Sequence, residues 1–387
     1  MDIDPKKPVP PSANPTADSA AQRLPGLTYW PEGDAIVVRN GDVWDNRPLY
    51  ANGRYAFFKA GEMPSLAGPT GRLCLAVSRG ETRVPLHHFA ERVARYRPAR
   101  MEWEMTDPRL PGLTVRLLAT TLVDASGFTA QLTVDEAKPG DTAGWCILPP
   151  TPGQATRQAD GLRFDRMLGR FSAAVDKWEP FAFELPDGMG EAAAGVAKDG
   201  LVAWIPLTPG QPQFVAVAAD EDDLYFKRPL DPASVADPAD AFAEGLARAQ
   251  AIGQRVIVET PDPYFNAAVP ASCAAVDGIY VEPAFAHGGS AWRLRFPGWR
   301  VMGGATAYGW HDRVAKALEH FDKFQVKRDN AKTAPTPSED GCEQAENSRF
   351  YGAGFLGYEG CGPRSLYNFQ TQFFDECIRD WRATGNP

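Results

Sequence analysis

The chain has 387 residues, a formal net charge of −9 and a hydrophobic share of 44%. This length exceeds one ordinary domain, and the apolar share is ample for sizeable cores. The acidic charge, without any basic run, argues against a nucleic-acid partner. No stretch approaches the ~20 apolar residues that span a bilayer, so the sequence predicts no membrane segment.

The N-terminal part of the chain, residues 1–26, is polar and rich in Pro, Ala and Ser. We predict a disordered leader here, because such a composition buries too little apolar surface to fold. Residues 1–22 lack the apolar stretch of a secretory signal.

Short apolar runs broken by turn residues follow the leader and predict β-strands. They cover residues 35–38, 55–58, 73–77, 101–105, 113–122, 128–134, 181–185, 201–206 and 214–218. The pairs Asn40-Gly41 and Asn52-Gly53 are strong hairpin signals. Strands at this spacing, with no helix between them, predict an antiparallel β-sandwich over residues 27–225.

Helical periodicity replaces the strand pattern after Asp231. Residues 239–252 predict an amphipathic helix, with Asp237 or Asp240 as its N-cap and Pro238 at an early position. Three further helices are predicted at residues 264–276, 313–324 and 366–381. We therefore divide this part into a linker with a helix, residues 226–263, and a helical segment, residues 264–387.

The densest group of polar and aromatic residues runs from Asp277 to Arg313. Carboxylates, guanidinium groups and imidazoles can hydrogen-bond to sugar hydroxyls, and aromatic rings pack on the apolar faces of sugar rings. This composition is typical of a sugar site. The alternative is a rigid loop in which the same side chains hold the helical segment together.

Three carboxylates in this group are candidate catalytic residues: Asp312, Asp277 and Glu282, with Glu359 a further possibility. Asp312 is the first choice because an indole, an imidazole and a guanidinium adjoin it in the sequence. Its alternative role is a helix N-cap or a structural partner of arginine. The candidate substrate-binding residues are His287, Trp292, Trp299, Arg300, Trp310, His311 and Arg313. We expect the site to form one cavity where the helical segment meets the sandwich.

Other chemistries find little support in the sequence. There is no Gly-x-Ser-x-Gly nucleophile elbow and no phosphate-binding loop. His87 and His88 lack a third metal ligand at suitable spacing. We therefore predict no cofactor and no metal.

Two strings carry a resemblance to known families. Asn46-Arg47-Pro48-Leu49-Tyr50 resembles the start of an uncharacterised bacterial family, the domain of unknown function 4450, in which a β-sandwich precedes a six-hairpin barrel. The string from His287 to Arg313 is similar to the first long loop of six-hairpin glycosidases, which are (α/α)6 barrels. The resemblance covers most of residues 27–387.

The resemblance implies a glycoside hydrolase that acts on glycosides derived from bacterial or plant polysaccharides, with carbohydrate as its partner. Such hydrolysis uses two carboxyl groups, one as acid and one as base or nucleophile. The resemblance also implies a periplasmic or secreted location, while the sequence itself leaves a cytoplasmic one open. The sugar, the linkage, the stereochemical course and the oligomeric state stay open.

A complete six-hairpin barrel has about twelve helices, whereas the residues after Thr260 suffice for about three helices of average length. We therefore expect the helical segment to be the start of an incomplete barrel. Two alternatives to an enzyme follow: a non-catalytic carbohydrate-binding or structural module, or a truncated, inactive relic.

Overall fold

The structure is a computed structural model. It describes residues 30–39, 65–68, 71–123, 125–148, 155–158, 161–164, 167–173, 175, 177–182, 199–219, 221–222, 227–228, 232–287, 294–295, 302–322 and 367–385. The predicted leader, the two Asn-Gly turns, the strand at 55–58 and Glu359 lie outside the described residues.

Antiparallel strands make up the first part of the described chain. They are β1 (Trp30–Glu32), β2 (Ala35–Arg39), β3 (Ser65–Gly68), β4 (Gly71–Arg79), β5 (Thr82–Pro85), β6 (Glu91–Arg97), β7 (Arg100–Thr106), β8 (Thr114–Thr121), β9 (Ser126–Asp135), β10 (Thr142–Leu148), β11 (Ala155–Gln158), β12 (Gly161–Phe164), β13 (Met167–Phe171), β14 (Trp178–Ala182), β15 (Asp199–Pro206), β16 (Gln213–Ala219), β17 (Glu221–Asp222) and β18 (Lys227–Arg228).

These strands form two large sheets and one small hairpin. The larger sheet has the order β1-β2-β6-β7-β8-β9-β16-β13-β12-β11. The smaller has the order β14-β15-β10-β4-β3, and β5 pairs with β4 at its side. The strands β17 and β18 pair with each other. Short connections between sequential strands explain why most neighbours in the larger sheet are antiparallel hairpins.

An apolar core lies between the two sheets. Along β7 the side chains of Met101, Trp103 and Met105 are buried, and the residues between them are only partly so. This alternation is the two-residue period of a strand with one face against a core. Trp145 of β10, in the smaller sheet, belongs to the same buried cluster. The predicted β-sandwich followed by a helical segment is confirmed.

The helical part begins after a short 3₁₀ helix at Pro232–Val235. Its helices are α1 (Pro238–Gly253), α2 (Pro263–Gly278), α3 (Met302–Ala307), α4 (His311–Asp322) and α5 (Tyr367–Thr384), and three short strands, β19 (Tyr280–Val281), β20 (Ala284–His287) and β21 (Leu294–Arg295), form a sheet between α2 and α3. None of the described helices is long and apolar enough to cross a membrane.

Two aspartates start the first two helices as N-caps. The Asp237 carboxylate accepts hydrogen bonds from the amides of Ala239 and Asp240, at 2.8 and 3.1 Å. Asp262 caps α2 in the same way, and a proline follows each cap. The structure thus selects Asp237, one of the two N-caps that the sequence allowed.

Helix α1 joins the two parts of the molecule. It packs on the outer face of the larger sheet, where the ring of Phe242 lies 5.4 Å from that of Phe214 in β16. On its other side, Ala249 and Ile252 belong to a second apolar cluster that α2, α3 and α4 complete. This cluster underlies the region in which the sequence placed the site.

Candidate functional site

Two exposed carboxylates and one lysine lie at the start of α4 and in the turn that precedes β20. The Lys316 ammonium lies 3.1 Å from Glu282, which follows β19 in the turn before β20. Asp312 is four residues before Lys316 on α4, so the two side chains share a helix face. We call Glu282, Asp312 and Lys316 the carboxylate–lysine group.

The phenol of Tyr280 borders this group. Burial raises the pKa of Tyr280, and the charges of Glu282 and Asp312 act in the same direction, while Lys316 and Arg313 oppose them. The hydrogen bond to Glu282 likewise raises the pKa of Lys316, with smaller contributions from Tyr280 and Asp312.

A buried ion cluster lies beneath the surface groups. The Asp277 side chain is 1% exposed and accepts hydrogen bonds from two guanidinium groups, Arg248 of α1 and Arg313 of α4, the latter at 2.8 Å. A buried carboxylate is costly unless it is paired in this way. Asp277 therefore ties α1, α2 and α4 together.

Two arginines cover the indole of Trp310. The guanidinium carbons of Arg255 and Arg313 lie 3.6 and 4.0 Å from the ring centroid. Two such groups fit at these distances only on opposite faces, and each gains from the negative face of the ring. Arg255 also donates to the carbonyl groups of Tyr308 and Gly309. Both faces of Trp310 are thus occupied by the protein itself.

The turn before α4 sets the position of Trp310. Gly309 has a φ of +73°, a left-handed conformation that glycine adopts without steric cost. The Trp310 carbonyl then accepts from the amides of Arg313 and Val314, which starts the helix. Beside the indole, burial raises the pKa of the Cys273 thiol.

A histidine and an aspartate meet on the other side of α4. Nδ1 of His311 lies 3.6 Å from Oδ1 of Asp380 on α5. The His311 side chain is 38% exposed and that of Asp380 is 13% exposed. Consecutive residues of α4 therefore differ in their surroundings: His311 lies near α5, while Asp312 is exposed.

The structure brings six of the predicted site residues to the start of α4: Asp277, Glu282, Trp310, His311, Asp312 and Arg313. The other four are not placed, since Trp292, Trp299 and Arg300 lie outside the described residues and only the backbone of His287 is described, in β20. Asp277, Trp310 and Arg313 are engaged with one another below the surface, and Glu282, His311 and Asp312 lie at it. The catalytic and binding roles given to these residues stay predictions.

Four side chains of this region were missed in the sequence: Arg248, Arg255, Lys316 and Asp380. Only Lys316 had a local signal, because it follows Asp312 by one helical turn. The other three lie on elements distant in sequence and meet the site through helix packing.

A groove of about 330 Å³, separate from the residues at the start of α4, lies between the β6–β7 turn and the C-terminal end of α1. Its lining includes Arg97, Arg100, Gln250 and Gln254 but no aromatic side chain and no predicted site residue. Arg97 and Arg100 both bond to Glu102, so their charges are largely balanced within the protein.

Among the residues that the structure describes, no three His, Cys, Asp or Glu side chains gather as a metal site would require.

The fold and site define a β-sandwich protein with a helical segment that carries a surface cluster of acids, a lysine and a histidine. No protein-family model matches the chain, and no curated protein matches it. The comparison with solved structures does find similar chains.

One is a bacterial glucoamylase in complex with acarbose, with 10% identity and a TM-score of 0.45 over 76% of this chain and 55% of that one. Another is a candidate kojibiose phosphorylase from the human microbiome, with 9% identity and a TM-score of 0.49 over 92% and 57%. A third is a family GH92 inverting mannosidase from Bacteroides thetaiotaomicron, with 10% identity and a TM-score of 0.31 over 79% and 53%. The chain spans little more than half the length of these structures, and TM-scores below 0.5 carry no argument for a shared site.

Proposed function

We propose that the protein is carbohydrate-active and that the start of α4 belongs to a glycoside hydrolase site. The observation that carries the proposal is the carboxylate–lysine group, in which Lys316 lies 3.1 Å from Glu282 and one helical turn after Asp312. Glycoside hydrolysis needs two carboxyl groups that face one bond. The sequence resemblance to six-hairpin glycosidases supports the same chemistry.

We assign chemical roles to the residues at the surface and a structural role to the buried residues beneath them. Asp312 and Glu282 are the proposed acid and base or nucleophile, and the exposed Lys316 ammonium offers hydrogen bonds to sugar hydroxyls. Asp277, Arg313 and Trp310 hold α4 in place from below, because their polar atoms and ring faces are engaged with Arg248 and Arg255. Two carboxyl groups can be positioned precisely only on a rigid support, and these buried contacts provide one.

The experiment compares wild type with Asp312→Asn and Glu282→Gln on a panel of aryl glycosides and oligosaccharides. Because general acid–base groups contribute about 10²–10⁴-fold, each variant should lose turnover by that order. The matched control is Glu179→Gln, which removes another carboxylate paired with a lysine, on the sandwich. The control should keep full turnover.

The alternative function, a non-catalytic carbohydrate-binding module, predicts a different result. Calorimetry would then show oligosaccharide binding without turnover, and Asp312→Asn would weaken binding rather than rate. Two results would exclude a site at the start of α4. One is that the folded chain shows no turnover and no binding, and the other is that turnover survives both substitutions.

A further inference from the structure

Two buried polar atoms face each other between α4 and α5. Nδ1 of His311 and Oδ1 of Asp380, 3.6 Å apart, are both buried, and neither has another hydrogen-bond partner among the described residues. An unsatisfied buried polar atom destabilises the folded state. The 3.6 Å separation is within ion-pair distance but longer than a hydrogen bond, so the two atoms would become each other's partner only after a small rotation of either side chain.

This pairing determines which nitrogen of His311 carries the proton. An ionised carboxylate only accepts hydrogen bonds, so a bond between these two atoms requires the proton of the neutral ring to lie on Nδ1. Nε2 then holds the lone pair. Nε2 has no hydrogen-bond partner in the described part of the chain and is not among its buried polar atoms. The lone pair is therefore open to solvent at the first residue of α4, next to Asp312.

We propose that His311 is a proton-transfer group of this site and that Asp380 is its positioning residue. A proton of the attacking water moves to Nε2 and gives the ring one positive charge, while the water oxygen bonds to the anomeric carbon. The glycosidic bond breaks, its oxygen takes a proton from the carboxylic acid of the site, and the ring later returns its proton to solvent. The Asp380 carboxylate, bonded to the Nδ1 proton, stabilises that charge and holds the ring in place without touching the substrate. The identity of the substrate rests on the proposed glycoside hydrolase function, whereas the His311–Asp380 bond does not.

The tautomer of His311 is the direct test. Nitrogen-15 NMR of the wild-type chain, with the His311 signals assigned through their loss in His311→Gln, distinguishes a proton on Nδ1 from one on Nε2. We expect the Nδ1–H form in the neutral ring. An Nε2–H form would overturn the inference, whatever the activity of the protein.

The reactivity of Nε2 tests the role of Asp380 without any substrate. Acylation of His311 by diethyl pyrocarbonate, followed by peptide mass spectrometry, should slow about fivefold in Asp380→Ala, the factor that corresponds to a net hydrogen bond of about 1 kcal/mol. Asp375→Ala is the control, because Asp375 is an exposed carboxylate of the same helix, paired with Arg379. An unchanged rate in Asp380→Ala contradicts the positioning role. If Asp380→Ala does not fold, the tautomer of His311 in the wild-type chain decides whether Asp380 positions the ring.

Measurements of turnover distinguish a failure of this inference from a failure of the proposed glycoside hydrolase function. On any glycoside that the wild type hydrolyses, His311→Gln should lower kcat by about 10²-fold and leave KM nearly unchanged. Full activity of His311→Gln would overturn the proton-transfer role even with the expected tautomer. Absence of turnover in the wild type would count against the glycosidase proposal, and the tautomer and the acylation rate would still decide whether His311 and Asp380 act together.

Discussion

The sandwich core and the helical cluster at α4 are stabilised in different ways. Between the sheets the buried residues are mostly apolar, and a buried polar atom such as the Trp145 indole N–H has a neutral partner, Gln213, at 2.8 Å. Around α4 the buried groups include a carboxylate, Asp277, held by two arginines. Apolar burial is non-directional, whereas ion pairs have fixed partners and fixed geometry. The sandwich is therefore stabilised by the apolar area that it buries, whereas the ion pairs fix the orientation of the helices relative to one another.

The largest expected effect is that of Asp277→Ala. Removing the carboxylate leaves Arg248 and Arg313 without their buried partner, which should cost about 3–5 kcal/mol. Amide hydrogen exchange should show faster opening of α1, α2 and α4, with the sandwich strands unchanged. A variant with Asp277→Leu, Arg248→Met and Arg313→Met should be nearer to wild type, because no charge is left unpaired. If the triple variant opens as fast as Asp277→Ala, the cluster is not held by charge pairing.

Trp145→Ala should cost a comparable ~3–5 kcal/mol, by a different mechanism. The substitution removes a fully buried side chain from the sandwich and leaves the Gln213 amide without its indole partner. Hydrogen exchange should now accelerate in the strands. Trp381→Ala is the control, since that side chain is 55% exposed and its loss should change stability by less than about 0.5 kcal/mol.

Acid should weaken a polar contact at the edge of the sandwich. Side-chain hydrogen bonds from Arg109, with amide bonds from Arg109 and Ala90, hold the pKa of Asp107 below its usual range despite burial. A lowered folded-state pKa adds stability above the unfolded-state value near pH ~4, and this stability is lost as the pH falls through the folded-state value.

Asp107→Asn should therefore lower the free energy of unfolding by about 1–3 kcal/mol at pH 7 and have a smaller effect near pH 3. Urea unfolding at the two pH values measures the difference. Asp135→Asn, at an exposed pair with Arg116, should show little effect at either pH. An Asp107→Asn effect that does not depend on pH would mean that the carboxylate charge is unimportant.

The smallest expected effect distinguishes the two N-caps that the sequence allowed for α1. Asp237→Ala should destabilise the helix by about 1 kcal/mol, because two amides lose their acceptor. Asp240→Ala should cost only a few tenths of a kcal/mol, the size of a charge interaction with the helix dipole. Amide exchange in the first turn of α1 compares the two variants. Equal effects would assign the cap to neither residue.

Much of the fold could be predicted because its signals are local. The alternation along β7 and the Asp-Pro start of α1 are visible in a few residues each. The strand β10 was missed, since Gly144 interrupts its apolar pattern. In the structure a Cβ at Gly144 would lie 2.5 Å from the Trp204 ring, so the glycine is needed for a close contact with β15. Helix α3 was missed because two adjacent glycines, Gly303 and Gly304, disfavour helix formation.

By itself, the sequence determined that strands precede helices, that Asp237 or Asp240 can start a helix, and that polar and aromatic groups gather between Asp277 and Arg313. Only the tertiary structure decided which of these groups are buried against each other and which reach the surface. Asp277 is bonded to residues 29 positions before it and 36 after it, and His311 lies 3.6 Å from a carboxylate of α5. Periodicity and caps are properties of neighbouring residues, but the partner of a charge depends on which helices pack together, and a buried charge is stable only where that packing provides one.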